Sequence, residues 1–428
     1  MEVATEARTA PASEEPAPAP PLTWETVARF AAAAAGAITV HFGWQFWMSG
    51  KLFIYHEIAA MDLLVYAVGF MLFWLALVDA PRWRRWTGPL ILAAVVLTTV
   101  TGVYVWTHSV LSIYGTDDIA FQHYSATLVL RGIDPYAVSM RPALERFHMP
   151  LQFSTLLQNG TIIDRVSWPA GSFLIFVPFV ALGVSDVRWV VLLFHLAATG
   201  VVYFATPVRV RPLVLLPVFG AQELIEFTGG GVVDFPWVVP VLLMVIWRRR
   251  PALMGLCYGV ACGIKQVPWF LAPFLLVYLF KDSKNRVHGT RQRLVSLASF
   301  AVPAIAVFLG INAPFIVHDP VNWILGTLAP AIGNPIPFGQ GPSTLTQLGF
   351  PVPTDAYVIM TAAIAFLLLI NYVVYFRQLR NLMWFFPALI AWFLPRSLHN
   401  YFVFWIPIMA LVLGLEAATP VDIGTHAV

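Results

Sequence analysis

The strongest constraint on this chain is the recurrence of long stretches with no charged residue, each close to the length that crosses a bilayer. A spanning helix needs about 20 mostly apolar residues. Runs free of Asp, Glu, Lys and Arg occupy 30–50, 63–78, 86–116, 166–185, 189–208, 294–318, 356–376 and 397–415, with shorter ones at 212–222, 235–247, 266–280 and 382–395. They predict an all-α polytopic integral membrane protein with roughly 11–13 membrane segments. Charged residues are 11% of the 428, against roughly 25% in soluble domains. So few charges cannot solvate a globule of this size, which excludes a cytosolic enzyme, a secreted disulfide scaffold and a nucleic-acid binder. The 33 prolines predict broken helices and loops rather than a simple bundle. Cys257 and Cys262 are five residues apart, about 140° around a helix, so neither a disulfide nor a shared metal is expected.

Residues 1–24 are rich in Ala, Pro and Glu, with no positive start and no early apolar core. They read as a disordered tail and not as a signal peptide. Basic clusters fall at Arg82/Arg84/Arg85, Arg248–Arg250, Lys281–Arg293 and Arg377/Arg380, and hold more than half of the 25 Lys and Arg. Basic loops stay in the cytoplasm. Both tails, 1–24 and 417–428, are therefore expected inside, flanking a single membrane domain over 25–416. Residues 109–168 and 313–355 become extracytoplasmic loops. Between two of the basic clusters, 254–280 carries Lys265 and Pro268 in its middle. Parity then requires two short helices meeting near Lys265. Residues 206–236 also break parity unless one piece does not span. No Walker loop, HExxH, GxSxG or zinc spacing is present, and Gly229–Gly231 is followed by no GK[ST].

Charge at membrane depth is costly and marks a candidate site. The first outer loop carries Asp117, Asp118, His123, Arg131 and Asp134, with apolar residues at helical spacing from Ile119 to Leu130. One Asp at a helix start is an ordinary cap; two adjacent carboxylates exceed what capping needs. Lys265 is either an ammonium that meets a phosphate or a side chain snorkelling to the interface. From Pro320 to Thr354 there is no charge, while Gly, Pro, Asn and Gln are frequent. That segment reads as a non-helical, membrane-hugging loop, suited to a lipid-linked ligand or serving as a plain interfacial connection. Arg396 and His399 fall at i and i+3 near a helix end, as a phosphate clamp or as interface anchors with Tyr401 and Trp405.

Together these pieces resemble the GT-C membrane glycosyltransferases, and most closely the polyprenol-phosphate-mannose-dependent mannosyltransferases of glycolipid synthesis. The resemblance runs as weak motifs over about 105–410. Asp118, Phe121, Gly132 and Pro135-Tyr136 match the acidic outer loop. Trp168-Pro169-Ala170 stands where the family has a Tyr-Pro-Pro-like helix start, and lacks the second Pro. Gly230–Asp234 is similar to a Gly-Asn/Gln-x-Asp segment, and Lys265–Pro268 to a Lys-x-x-Pro helix. Gly333-Asn334-Pro335, with Ser343 displaced, loosely matches a Gly-Asn-x-Ser loop. Arg396, Tyr401 and Phe402 match a late Arg-x-x-x-x-Tyr-Phe segment. About three spans precede the acidic loop here, where the family usually has one.

The resemblance implies sugar transfer, mannose first, from a polyprenyl-phosphate donor to a lipid-linked or glycan acceptor on the extracytoplasmic side of the cell membrane. It implies inversion, and neither cofactor nor metal. Asp118, with Asp117 beside it, is the expected base that deprotonates the acceptor hydroxyl. Lys265, Arg396, His399 and His318 are the expected cations for the leaving phosphate. His123, Tyr136, Asn334 and Tyr401 are candidates for substrate contact. The rival classes are a transporter or lipid-linked sugar flippase, which needs no carboxylate pair in an outer loop, and a ligase using a diphosphate carrier, which favours more outer arginines.

Overall fold

The computed structural model describes residues 23–108, 114–282 and 289–417. The expected tails lie outside the described residues except at Thr23, Trp24 and Ala417. Thr23 opens α1, Trp24–Met48, by accepting the Thr26 N–H at 3.2 Å. The helix returns as α2, His56–Leu77. The two pack closely because Gly36 and Gly69 face each other: a Cβ on Gly36 would sit 3.0 Å from the Gly69 carbonyl. A short α3, Pro81–Arg84, leads into α4, Thr87–Thr107, which ends well short of residue 116. The outer loop folds into α5, Asp117–Leu130, and α6, Arg141–Arg146. Next come α7, Gly171–Leu174, α8, Val177–Ala181, α9, Arg188–Ala205, α10, Arg211–Gly220, and α11, Glu223–Gly230.

Two helices then cross between the two poles of the bundle. α12, Phe235–Ile246, runs from Asp234 to the Arg248 cluster, and α13, Pro251–Ile264, returns to Lys265. At 1.5 Å per residue each is about 18–21 Å long. The backbone of Lys265 is extended (φ −145°), and a 3₁₀ turn, Val267–Leu271, precedes α14, Ala272–Lys281. α15, Thr290–His318, continues unbroken through Pro303 and Pro314. Gly255, Gly259 and Gly263 of α13 form one stripe against it, where added Cβ atoms would meet Phe300, Ala304 and Ile311. This close approach fixes the end of α13 that carries Lys265.

The supposed loop 313–355 is largely helical: α15 reaches His318, and α16, Pro320–Thr327, α17, Ala329–Ile332, and α18, Thr344–Gln347, follow. The physical reason is a restart at Asp319, whose carboxylate accepts the Asn322 N–H at 3.0 Å, with Pro320 at the first helical position. The chain closes with α19, Thr354–Val374, α20, Phe376–Leu379, α21, Phe386–Trp392, α22, Asn400–Val403, and α23, Ile406–Glu416. The described strands are two-residue pieces, β1, Phe338–Gly339, and β2, Arg396–Ser397, paired in parallel.

Five described helices, α2, α4, α9, α15 and α19, are long and apolar enough to cross a membrane, fewer than the expected 11–13. The shortfall comes from proline and polar breaks, which leave six further apolar helices below full spanning length. Few residues of α15 are buried, and Val302, Ile305, Leu309 and Val317 point outward. Such faces suit acyl chains rather than water, as in an all-α membrane protein. The basic clusters converge at one pole: Arg84 pairs with Glu25 at 2.5 Å, while Arg248 and Arg380 reach Glu416 at 2.9 and 3.6 Å.

Candidate functional site

At the opposite pole, helix ends remote in sequence meet around a cavity of about 290 Å³. Asp117 and Asp118 enter on the first turn of α5, Lys265 from the break after α13, Arg396 and His399 from the strand and turn before α22, and Tyr401 from α22 itself; all six line the cavity. The glycine run docks the acidic turn. Gly115 N–H donates to the Gly230 carbonyl at 2.8 Å, and the Thr116 hydroxyl donates to the Gly231 carbonyl at 2.8 Å. Gly231 has φ +89°, and a Cβ there would sit 2.5 Å from Ile119. Gly229–Gly231 is therefore a packing hinge that turns Val233 and Asp234 toward α5.

The floor is a buried triad of ions. Lys265 Nζ lies 2.9 Å from Asp118 Oδ2 and 3.0 Å from Asp234 Oδ1. Asp118 Oδ2 also accepts the Val233 N–H at 3.1 Å, and its Oδ1 accepts the Gln122 amide. Asp234 accepts the Trp237 indole N–H at 2.6 Å and the Asn400 amide at 2.7 Å. The face of Trp168 covers the ammonium at 5.7 Å. Asp118 therefore presents both oxygens to donors. Burial raises its carboxyl above the usual range, opposed by the Lys265 ammonium and the Val233 N–H.

Asp117 is placed differently. One oxygen accepts the Thr155 N–H at 3.0 Å, and the half-buried side chain faces the cavity. Burial and the adjacent Asp118 charge push its carboxyl up to about 6, with Arg396 pulling the other way. Arg396 and His399 are held by the outer segment. β1 pairs with β2, Ser397 Oγ accepts the Gly341 N–H at 2.7 Å, and His399 Nδ1 bonds Gln340 Oε1 at 2.9 Å. Glu223 lies 3.7 Å from His399 Nε2.

Four predicted site residues stand apart from the cavity lining. His318 is exposed at the end of α15, 2.8 Å from Asp134, because α15 runs straight past the site. Asn334 sits in a positive-φ turn (52°), where its carbonyl accepts the Gln158 N–H at 3.0 Å. His123 faces inward from α5 onto the Tyr114 hydroxyl at 2.8 Å, and burial lowers its pKa to about 4. Tyr136 is buried behind the site and donates to the Trp168 carbonyl at 2.6 Å, positioning the ring over Lys265. Lys265 itself is boxed between two carboxylates, so its charge is more than neutralised before any phosphate arrives. Asp234, which the sequence marks only as the end of the Gly230–Asp234 segment, and Asn400, which it does not mark, join the site through the fold; an acid between two apolar runs, Val232-Val233 and Phe235-Pro236-Trp237, is the further signal for Asp234.

No family model, curated protein or solved structure matches the chain.

Proposed function

We propose that the chain is a GT-C-type membrane glycosyltransferase. In this reading a sugar, mannose first, moves from a polyprenyl monophosphate to a glycolipid or glycan acceptor on the extracytoplasmic side, with inversion. The carrying observation is one recessed cavity that combines a cavity-facing carboxylate, Asp117, with Arg396 and His399. The positive-inside rule supports the side assignment, since the basic pole lies one helix length away.

The chemistry needs a base for the acceptor and cations for the leaving group. Asp117 takes the hydroxyl proton; a pKa near 6 leaves it mostly ionised at neutral pH and still basic. The acceptor oxygen bonds to the anomeric carbon as the bond to the phosphate oxygen breaks. The electron pair leaves with the polyprenyl phosphate, which gains a second negative charge. Arg396, and His399 when protonated, stabilise that charge as it develops. Asp118 acts as a positioning residue that, with Asp234, anchors Lys265 and shapes the floor. Beside Gln266, whose amide donates to the Ser167 and Thr327 carbonyls at 2.7 Å each, an apolar groove of about 530 Å³ runs between α13, α15 and α16. Tyr258, Cys262, Trp269, Phe308 and Trp323 line it, which suits the donor's hydrocarbon tail.

The test is transfer from radiolabelled polyprenyl-phosphate mannose by membranes holding the chain. Label entering a lipid or glycan fraction only when the chain is present supports the reading. Label crossing sealed vesicles without covalent transfer identifies a flippase instead.

A further inference from the structure

Two helices that precede the acidic loop, α1 and α4, enclose with α11 a second cavity of about 310 Å³, at the small end of the roughly 300–1,000 Å³ range of ligand pockets. Its polar lining is Gln45, Ser49, Lys51, Trp106, Gln222 and Glu226. Gln45 and Gln222 exchange amide bonds across α1 and α11 at 3.0 and 2.7 Å. The Gln222 amide also donates to Glu226 Oε1 at 2.8 Å, and Gln45 Nε2 lies 3.0 Å from His41. Both Gln222 N–H groups are thus used inside the network. What it offers a ligand is both acceptors, the second Glu226 oxygen and the amide carbonyls, and a donor, the Lys51 ammonium, with the Ser49 hydroxyl and the Trp106 indole also in the lining.

Helix α11 separates this cavity from the first. Gln222, Ile225 and Glu226 fall on one stripe at i, i+3 and i+4 and line the second cavity; Phe227, about 100° further round, lines the first. Glu223, four residues before Phe227, approaches His399. A ligand with many hydroxyl donors and a flat C–H face fits such a lining, since hydroxyls donate to carboxylate and amide oxygens and the C–H face stacks on indole. A phosphate fits less well, because the Glu226 carboxylate offsets the Lys51 ammonium and leaves a lining of no net charge, which favours a neutral ligand.

We infer that this cavity is a binding subsite for a neutral sugar unit, and that it holds a sugar of the acceptor one helix away from the transfer site. The acceptor role rests on the transferase reading; the sugar chemistry of the cavity does not.

The probe is an octyl α-mannobioside carrying a diazirine, photolysed with the full-length protein in lipid nanodiscs and mapped by peptide mass spectrometry. Labelling is expected on 45–51 or 222–226. It should be competed by free mannobiose and retained in Asp117→Asn, whose turnover is expected to be slowed at least roughly 100-fold. Glu226→Gln should cut labelling about tenfold, the scale of one hydrogen bond to a charged group. Ser49→Trp, a bulky ring at the exposed rim of the cavity, should abolish it. Both variants are compared at equal monodisperse yield. Labelling confined to the first cavity, labelling unchanged in both variants, or displacement by spermidine rather than mannobiose overturns the inference. A chain that labels as expected yet never transfers sugar sinks the transferase reading alone. One that transfers normally, with unaltered acceptor KM in Glu226→Gln and no labelling here, sinks this inference alone.

Discussion

Asp62 and Asp118 are both buried acids in an apolar chain, 3% and 7% exposed, but their surroundings differ in kind. Asp118 meets an ammonium and a backbone N–H from remote parts of the fold, and an amide from the next turn of its own helix. Asp62 lies within α2, and its Oδ1 has no hydrogen-bond partner among the described residues. Burying an unpaired carboxylate is expensive, whereas a carboxylate supplied with donors is tolerated and tied to its geometry. The contrast separates an acid the fold is organised around from one it merely accommodates. Only the first kind sits where α5, α12, α13 and α22 converge.

The most severe way to break the contrast is to remove the shared cation. Lys265→Met leaves two carboxylates facing each other across an apolar side chain. Stability should fall by about 3–5 kcal/mol, the scale for orphaning a buried ion pair, as read from unfolding in detergent. The double variant Lys265→Met/Asp118→Asn should recover part of that loss. A single variant as stable as the parent would mean the triad is not a buried unit. Arg396→Met comes next, with turnover lowered roughly 100-fold, as when one donor to a developing charge is lost, and donor affinity affected less. A loss confined to donor affinity would return Arg396 to interface anchoring.

Acidity sharpens the comparison further. Asp117 must be unprotonated to act as base, and its pKa is raised to about 6. The kcat/KM for transfer should therefore be flat above that pH and fall with protonation below it, approaching tenfold per pH unit. A profile flat down to pH 5 would exclude Asp117 as the base. The smallest effect belongs to the other acid: Asp62→Asn should change stability by no more than about 1 kcal/mol, the scale of one ordinary hydrogen bond. A loss as large as that of Lys265→Met would show that Asp62 has a partner of its own.

Much of the site's outline was legible in the sequence because it rests on cost. An Asp pair before an amphipathic run and a Lys followed by Pro inside an apolar stretch are features a bilayer penalises, and Asp117, Asp118 and Lys265 do line one cavity. The helix break at Lys265 follows from the same reasoning. What escaped was pairing. Lys265 read alone is a free cation, and only the fold shows that Asp234, 31 positions earlier, meets it. Counting charge-free runs also merges what proline and capping divide. The stretch Pro320–Thr354 reads as non-helical because Gly, Pro, Asn and Gln are frequent in it, yet Asp319 starts a new helix there, and α15 carries His318 past the site. His123 and Tyr136 went astray for a different reason: each lies on the inner side of its element, where it supports the wall rather than lining it.

The account turns on the two neighbouring carboxylates having different tasks, and one measurement addresses that directly. Asp117→Asn and Asp118→Asn are assayed side by side for mannose transfer from a polyprenyl-phosphate donor, each with its unfolding midpoint. Asp117→Asn is predicted to lose at least roughly 100-fold in turnover while unfolding like the parent. Asp118→Asn is predicted to lose stability along with activity, because it loosens Lys265. Full transfer by Asp117→Asn, with a dead but equally stable Asp118→Asn, would contradict the account.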